Sequence, residues 1–376
     1  MKPLLCCVAL ILGIQALGAE GLAHPSMPIG SSLPEFDLPG VDGKRHGNAE
    51  YAGAKVLAII FTCNHCPTAQ AYEERIKALA RDYQPRGVAV IAVSPNSPAA
   101  VRLDELGYTD LGDDLDDMKI RSRERGFNFP YLFDGETESF SLKLGPATTP
   151  HVFLFGPDRK LEFSGRIDDS EREDRMKVQD TRLALDALLA GRKPAVTETR
   201  VFGCSTKWGD KAAGNLTWRE KVKKEPVTVK PADVAALKAL RENADSGKVR
   251  LINVWATWCG PCVSEFDELI ETNLRFRHRD FEVVTVSAQF PDEQAAVAKF
   301  LAKHNASTRN VIFAEGDKDQ MLGAIDPEWK GALPHTLLVA PGGKVLYRQT
   351  GDIDFLELRR RIVPALNAIT PWAGMK

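Results

Sequence analysis

The chain has 376 residues, a length that predicts two or three domains, each long enough to bury its own core. Its 49 lysines and arginines nearly balance 51 aspartates and glutamates, so the net charge of −2 provides no basic field for nucleic acid. Hydrophobic residues make up 44% and charged residues 27%, which excludes a disordered chain, a collagen and a protein with many membrane spans. We therefore expect a multidomain globular protein with no nucleic-acid partner.

The first residues have the pattern of a secretory signal peptide. Lys2 precedes an apolar run over 4–17, and the small residues Gly18 and Ala19 follow. About 14 apolar residues are too few to span a bilayer, so residues 1–19 are predicted to be a cleaved signal. The mature protein is then exported to a periplasmic or other extracytoplasmic compartment of a bacterium, with no stable membrane span. The alternative is an uncleaved anchor, which would place the rest of the chain in the same compartment.

Five cysteines remain after such processing, and four of them form two Cys-x-x-Cys pairs. Cys63 pairs with Cys66 and Cys259 pairs with Cys262, and Cys204 is left over. A long chain with an ordinary apolar content needs no disulfide framework, so the pairs are predicted to be reactive. A shared zinc site is disfavoured because roughly 200 residues separate the pairs, whereas zinc ribbons place theirs about 15–20 residues apart.

Each pair follows a predicted buried strand and precedes a predicted helix. Apolar runs rich in branched residues lie at 56–61 and 249–255, and residues with helical spacing come after the cysteines. The first cysteine of each pair is therefore expected at a helix N-terminus, where the helix dipole and free N–H groups stabilise a thiolate. The second cysteine is expected to attack the mixed disulfide and release the product.

An internal repeat relates the two halves of the chain. Residues 150–160 align without a gap with residues 334–344, and each copy begins with Pro-His before a predicted strand, turn and returning strand. The halves are thus predicted to be two copies of one fold. The first copy also contains an acidic run over 110–117, which lacks the pattern of a calcium loop and is predicted to be a solvated loop.

The second pair lies in a segment that resembles the active site of the thioredoxin superfamily. It reads Asn-Val-Trp-Ala-Thr-Trp-Cys-Gly-Pro-Cys over 253–262, and Glu265 resembles a carboxylate of exported TlpA/ResA-type thiol:disulfide reductases. The resemblance implies a thioredoxin fold over about residues 228–370, with Pro334 as the cis-proline that faces the cysteines. Because Asn253 stands where thioredoxin has a buried acid, Glu265 or water is the candidate for proton transfer to the second cysteine.

The first half resembles the redoxin, or AhpC/TSA-like, branch of the same superfamily. Cys66-Pro-Thr is similar to the peroxidatic motif of peroxiredoxins, but Ile59 and Cys63 stand where Pro and Thr normally precede that cysteine. Disulfide exchange by Cys63 and Cys66 therefore fits better than peroxide reduction. Pro150 corresponds to the cis-proline. The motifs that carry the resemblance lie at 61–67, 129–132, 149–150, 165–169 and 202–208.

The predicted fold class is α/β, with two thioredoxin-like folds in tandem, each a central mixed β-sheet flanked by helices. After the signal peptide, the expected order is a redoxin-like domain over 25–208, a linker over 209–230 and a TlpA/ResA-like domain over 231–376. The linker is rich in Lys and Glu and poor in apolar residues, so it is expected to be flexible.

The residues between the cysteines predict different redox properties for the two pairs. His65 can place a cation beside a thiolate and make the first disulfide the stronger oxidant, whereas Gly260 and Pro261 add no charge. Electron flow from the second domain to the first is one hypothesis, and separate clients for each domain is the other. The odd thiol, Cys204, either resolves a mixed disulfide in the first domain or is a small buried hydrophobe.

The expected function is that of an exported thiol:disulfide oxidoreductase whose partners are client proteins and an unidentified upstream electron donor. No cofactor besides the redox-active cysteines is expected. One alternative is a hydroperoxide reductase with Cys66 as the peroxidatic sulfur. Another is a copper-binding module in the first domain that uses Cys63, His65 and Cys66, since thiolates suit Cu(I).

Overall fold

The computed structural model describes residues 24–314 and 318–372. The predicted signal peptide, residues 1–19, lies outside these ranges, so its removal stays a prediction. Among the described helices, none is long and apolar enough to span a bilayer.

The first half of the chain is built on a five-stranded mixed sheet. The strands of this half of the chain are β1 (Asp37–Pro39), β2 (Arg45–Gly47), β3 (Val56–Phe61), β4 (Val88–Ser94), β5 (Tyr131–Phe133), β6 (Thr148–Thr149), β7 (His151–Phe155), β8 (Leu161–Gly165) and β9 (Cys204–Ser205). Its helices are α1 (Pro67–Ala71), α2 (Glu73–Tyr83), α3 (Leu115–Arg125), α4 (Ser141–Leu144) and α5 (Asp180–Leu189). The main sheet has the order β5-β4-β3-β7-β8, while β1 pairs with β2 and β6 with β9.

The second half contains a six-stranded mixed sheet. Its strands are β10 (Val229–Ala232), β11 (Val249–Trp255), β12 (Phe281–Ser287), β13 (Arg309–Phe313), β14 (His335–Val339) and β15 (Val345–Thr350). The helices are α6 (Ala212–Val222), α7 (Val234–Glu242), α8 (Gly260–Phe276), α9 (Gln294–Lys303), α10 (Lys318–Ile325) and α11 (Phe355–Ile369). The strand order is β10-β13-β12-β11-β14-β15.

The two sheets share one arrangement of four strands. In the first sheet, β3 is parallel to β4 and antiparallel to β7, and β7 is antiparallel to β8. In the second sheet, β11 is parallel to β12 and antiparallel to β14, and β14 is antiparallel to β15. Both β7 and β14 begin at the histidine of the repeated Pro-His. This arrangement confirms the predicted fold class of two thioredoxin-like folds in tandem. The strands predicted at 56–61 and 249–255 are confirmed as β3 and β11.

Both central strands are buried along their whole length because their sheets are covered on both faces. Successive side chains of β3 point to opposite faces: Ile60 packs in one apolar cluster with Ile76 of α2, and Ile59 packs in another with Phe140. Close packing on both faces holds the ends of β3 and β11 in place. The cysteines in the turns that follow are therefore presented by a rigid support.

The segment expected to be a flexible linker contains helix α6 and is packed against the first half. Asn215 is buried, and its Nδ2 donates hydrogen bonds to the carbonyl oxygens of Ala99 (2.8 Å) and Val101 (3.2 Å). The expectation of flexibility was wrong because the segment docks through a polar side chain, which leaves no apolar pattern in the sequence. The domain boundaries themselves stay predictions.

The acidic run at 110–117 is only partly the solvated loop that was expected, because part of it packs against the second half. The buried Arg275 of α8 donates hydrogen bonds to the carbonyl oxygens of Thr109 (3.0 Å) and Leu111 (3.0 Å). Leu111 and Asp113 are buried, and Asp114 caps α3. Guanidinium and backbone donors from distant parts of the chain satisfy these oxygens, so this part of the run is not solvated, whereas Asp114 and Asp116 are exposed.

Candidate functional site

The second cysteine pair lies at the N-terminus of α8, as predicted. Cys259 is the N-cap residue, and its Sγ accepts a hydrogen bond from the backbone N–H of Cys262 (3.3 Å). The two cysteines form a disulfide, with their Cα atoms 5.3 Å apart. Both lie in a buried apolar cluster, and Leu333, the residue before Pro334, packs against that cluster. The helix N-terminus favours Cys259 as thiolate once the pair is reduced.

Glu265 lies one turn further along α8 and is held by two donors. Its Oε2 accepts from the backbone N–H of Ile353 (3.0 Å), and its Oε1 lies 3.5 Å from Nδ2 of Asn253, which also donates to Thr336 Oγ1 (3.0 Å). Burial raises the pKa of Glu265 to about 7, and the hydrogen bonds from Ile353 and Asn253 offset only part of that rise. The carboxyl group can therefore exchange a proton near neutral pH.

Both repeated prolines, Pro150 and Pro334, follow cis peptide bonds. The histidines after them are packed strand residues, and Nδ1 of His151 accepts a hydrogen bond from the backbone N–H of Ala147 (3.2 Å). His151 Nε2 lies 3.0 Å from Ser164 Oγ, and burial lowers its pKa to about 3. His335 contacts Thr350 Oγ1 (2.8 Å) and Asp326 Oδ2 (3.1 Å).

The strand register shows which cysteines are equivalent in the two halves. The histidine after the cis-proline pairs with Phe61 of β3 in the first half and with Val254 of β11 in the second. Cys66 comes five residues after Phe61, and Cys259 comes five residues after Val254. Cys66 therefore occupies the position of Cys259, and Cys63 lies three residues before it.

This equivalence corrects the expectation that the leading cysteine of each pair is at the helix N-terminus. In the first half the N-cap residue of α1 is Cys66, whose Sγ accepts from the backbone N–H of Ala69 (3.4 Å). Cys63 precedes the helix, and its Sγ shares a hydrogen bond with Thr149 Oγ1 (3.1 Å). The two Cys-x-x-Cys pairs look alike in sequence but are displaced by three residues, because the first helix begins after the second cysteine.

His65 forms a buried ion pair with Asp113, a residue that sequence reasoning did not single out. Nδ1 of His65 lies 2.5 Å from Oδ2 of Asp113. Asp113 also accepts hydrogen bonds from the backbone N–H groups of Asn64 and His65 (2.9 Å each) and from Asn96 Nδ2 (2.8 Å). Burial lowers the pKa of His65, but the adjacent carboxylate outweighs burial and raises it above its usual value.

Three sulfur atoms meet beside this ion pair. Cys63, Cys66 and Cys204 pack together, and the backbone N–H of Cys204 donates to Cys66 Sγ (3.3 Å). Burial raises the pKa of Cys66, but hydrogen bonds from Cys204 and Cys63 and the charge of His65 hold it well below its usual value. Burial and the hydrogen bond to Cys66 raise the pKa of Cys63, so Cys66 is the thiolate of the group.

Comparison with known proteins places this arrangement in a family. The family model described as AhpC/TSA matches residues 29–164 and 228–348, which together are more than half of the chain. The chain belongs to the AhpC/TSA family. The two matched regions each contain one of the two sheets and one of the two cysteine pairs, so the predicted tandem resemblance is confirmed.

Among curated relatives of this AhpC/TSA protein are two thiol–disulfide proteins. The chain is 30% identical over 139 residues to the thiol:disulfide interchange protein CycY of Rhizobium leguminosarum bv. viciae, covering 35% of this chain and 66% of that protein. It is 33% identical over 108 residues to the thiol-disulfide oxidoreductase ResA of Bacillus subtilis (strain 168), covering 28% of this chain and 55% of that protein. The chain therefore spans between 55% and 66% of the length of these relatives.

A solved structure of a hypothetical protein from Sinorhizobium meliloti 1021 is also similar to the chain. The two are 30% identical, with a TM-score of 0.44, and the match covers 49% of this chain and 96% of that one.

Among the described residues of this AhpC/TSA protein, one group of three side chains has the composition and spacing to bind a metal ion: Cys63, His65 and Asp113. Their ligand atoms lie within 4.8 Å of one another, and all three residues are buried. The copper hypothesis named Cys63, His65 and Cys66, so the structure adds Asp113 to that neighbourhood. Nδ1 of His65 already contacts the carboxylate, so the group is satisfied without an ion.

Proposed function

We propose that the chain is an exported thiol:disulfide oxidoreductase that reduces disulfides of client proteins through Cys259 and Cys262. The observation that supports this most directly is that Cys259 is the N-cap residue of α8 and forms a disulfide with Cys262. A sulfur in that position is a nucleophile near neutral pH, and the second cysteine is placed to release the product. The names of CycY and ResA agree with this chemistry.

The proposal extends to a relay in which the second domain supplies electrons to the first. The charge of His65 and the low pKa of Cys66 favour the reduced form of the first site, which makes its disulfide the stronger oxidant. Gly260 and Pro261 give the second site no comparable charge.

Equilibration of the full chain with glutathione mixtures, followed by mapping of thiols and disulfides, tests the direction of transfer. We expect the Cys259–Cys262 pair to have the more negative potential. Replacing His65 with Asn should shift the potential of the first site to more negative values because the stabilising charge is lost. A first site more reducing than the second would reject the relay and leave disulfide reduction by the second domain intact.

Proton transfer by Glu265 predicts a pH dependence of client reduction. Because its pKa is about 7, the carboxylate that can take a proton from Cys262 forms as the pH rises through 7. Turnover of a protein disulfide should therefore rise over this range, and Glu265→Gln should remove the inflection and lower the rate above pH 7 by about 100-fold. Glu271→Gln, an exposed position on the same helix, is the control. An unchanged profile in Glu265→Gln would assign the proton transfer to water.

A further inference from the structure

The short strand β9 places Cys204 directly against the active sulfur of the first domain. β9 pairs antiparallel with β6, and Cys204 stands opposite Thr149, the residue before the cis-proline. The same pairing brings the backbone N–H of Cys204 within 3.3 Å of Cys66 Sγ. Cys66 Sγ also lies 3.3 Å from the carbonyl oxygen of Thr149. Cys204 thus reaches the site through a backbone ladder rather than by chance proximity.

Gly203 allows this close approach. Its φ of +137° is a conformation that other residues rarely adopt, and a Cβ there would lie 2.2 Å from the carbonyl oxygen of Thr149. A glycine at this position lets the strand lie flat against β6. The segment is therefore built to hold Cys204 at the site.

The second domain lacks this cover. The residues equivalent to β6 are 332–333, and within the described part of the chain no strand pairs with them. In the first domain, by contrast, the chain itself occupies the edge beside the active sulfur. A protein client cannot lie against that edge while β9 is in place, because the backbone groups of β6 are already paired.

We propose that Cys66 and Cys204 are the redox pair of the first domain, and that Cys204 is the thiol that meets the external partner. The proposal rests on the thiol–disulfide exchange proposed above and names the sulfurs that perform it in this domain. Cys66 is completely buried and Cys63 is 3% exposed, whereas Cys204 is partly exposed. The disulfide or thiol of an external partner therefore contacts Cys204 first.

Cys63 is a poorer partner for Cys66 than Cys204 is. It is buried, its Sγ is engaged by Thr149 Oγ1, and it occupies the position of Ala256 in the second domain, before the helix begins. Its role is to hydrogen-bond the Cys66 thiolate. The Cys-x-x-Cys pattern of the first domain is, on this basis, not its disulfide.

Oxidation by a disulfide RSSR then proceeds in two exchanges. The hydrogen bond to Cys66 and burial raise the pKa of Cys204, so the Cys66 thiolate takes the Cys204 proton as Cys204 Sγ attacks one sulfur of RSSR. An S–S bond forms to Cys204, the S–S bond of RSSR breaks, and the leaving RS⁻ takes that proton from Cys66. The Cys66 thiolate attacks Cys204 Sγ, forms the Cys66–Cys204 disulfide and expels the second RS⁻. Two electrons pass from the two cysteines to RSSR, giving one RSH, which carries the proton of Cys204, and one RS⁻. In reverse, a dithiol attacks the exposed Cys204 Sγ, and Cys66 leaves readily because its thiolate is stabilised.

The test uses the full chain with Cys6, Cys7, Cys259 and Cys262 all replaced by serine, which leaves three thiols. The probe is the disulfide of thionitrobenzoate. We expect two thionitrobenzoate anions to be released per chain, no retained adduct, and a Cys66–Cys204 disulfide by peptide mapping under non-reducing conditions. In this background Cys66→Ser should release one anion and keep an adduct on Cys204. Cys204→Ser should slow release at least about 10-fold, because only buried thiols remain.

Cys63→Ser is the matched control and should still release two anions and form the Cys66–Cys204 disulfide. A Cys63–Cys66 disulfide in the parent, a stable adduct on Cys204 in the parent, or no reaction at all would each overturn the proposal. Because this background lacks Cys259 and Cys262, each of these results reports on the first domain alone. Reduction of clients by the second domain is tested separately, in the wild-type chain.

Discussion

Cys259→Ser should abolish reduction of protein disulfides by the second domain, and Cys262→Ser should instead trap the client. Cys259 is the N-cap sulfur that attacks, so a serine hydroxyl in its place leaves no nucleophile and turnover falls to the level of the buffer blank. In Cys262→Ser the attack still occurs, but no thiol follows to resolve the mixed disulfide. A turnover assay and non-reducing electrophoresis distinguish the two failures.

The trapped species in Cys262→Ser also tests the relay between domains. If the first domain accepts electrons, mapping should find Cys259 linked within the chain to Cys63, Cys66 or Cys204, and the partial exposure of Cys204 favours that residue. Adding Cys204→Ser should then remove the internal link. If mapping finds Cys259 linked only to external partners, the relay is rejected and the reductase function of the second domain stands. If Cys259→Ser turns over at the wild-type rate, Cys259 is not the nucleophile.

Asp113→Ala should lower the free energy of unfolding by about 3–5 kcal/mol, because it removes one partner of a buried ion pair. The substitution leaves His65, Asn64 and Asn96 with unpaired donors in a site closed to water. It should also raise the pKa of Cys66, since the charge of His65 depends on Asp113. Urea unfolding followed by circular dichroism measures the first effect, and thiolate absorbance against pH measures the second.

The pH dependence of this stabilisation has a defined sign. The pKa of His65 is raised, so its contribution is complete below its ordinary value of 6.5 and is lost as the pH rises through the raised value. The pKa of Asp113 is lowered, mainly by His65 against the effect of burial, so its contribution is present above 3.8 and is lost as the pH falls. The loss in Asp113→Ala should therefore be greatest between pH 3.8 and 6.5.

Asp116→Ala is the matched control for this substitution. Its side chain lies in the same acidic run and is 88% exposed, so its removal should change stability by less than about 0.5 kcal/mol. Equal losses in the two variants, or a loss in Asp113→Ala that does not vary with pH, would contradict a stabilising role for the His65–Asp113 pair.

Local patterns were sufficient to predict most of the architecture. The buried strands at 56–61 and 249–255, the repeat at 150–160 and 334–344, and Cys259 at a helix N-terminus all depend on residues close together in sequence. Each of these features was found where it was predicted. Asp113 could not be found in this way, because it lies roughly 50 residues from His65 and in a run that resembles a solvated loop.

The sequence by itself determined the fold class, the repeat and the position of Cys259 at a helix N-terminus, since hydrophobic periodicity and short motifs are local properties. Only the tertiary structure decided that Cys66, rather than Cys63, is equivalent to Cys259, because that depends on where β3 pairs with β7 and where α1 begins. It alone brought Cys204 and Asp113 to the first site, through a strand pairing and a buried ion pair between distant segments. Contacts of this kind are set by packing and by the need to satisfy buried polar groups, and neither leaves a pattern in the local sequence.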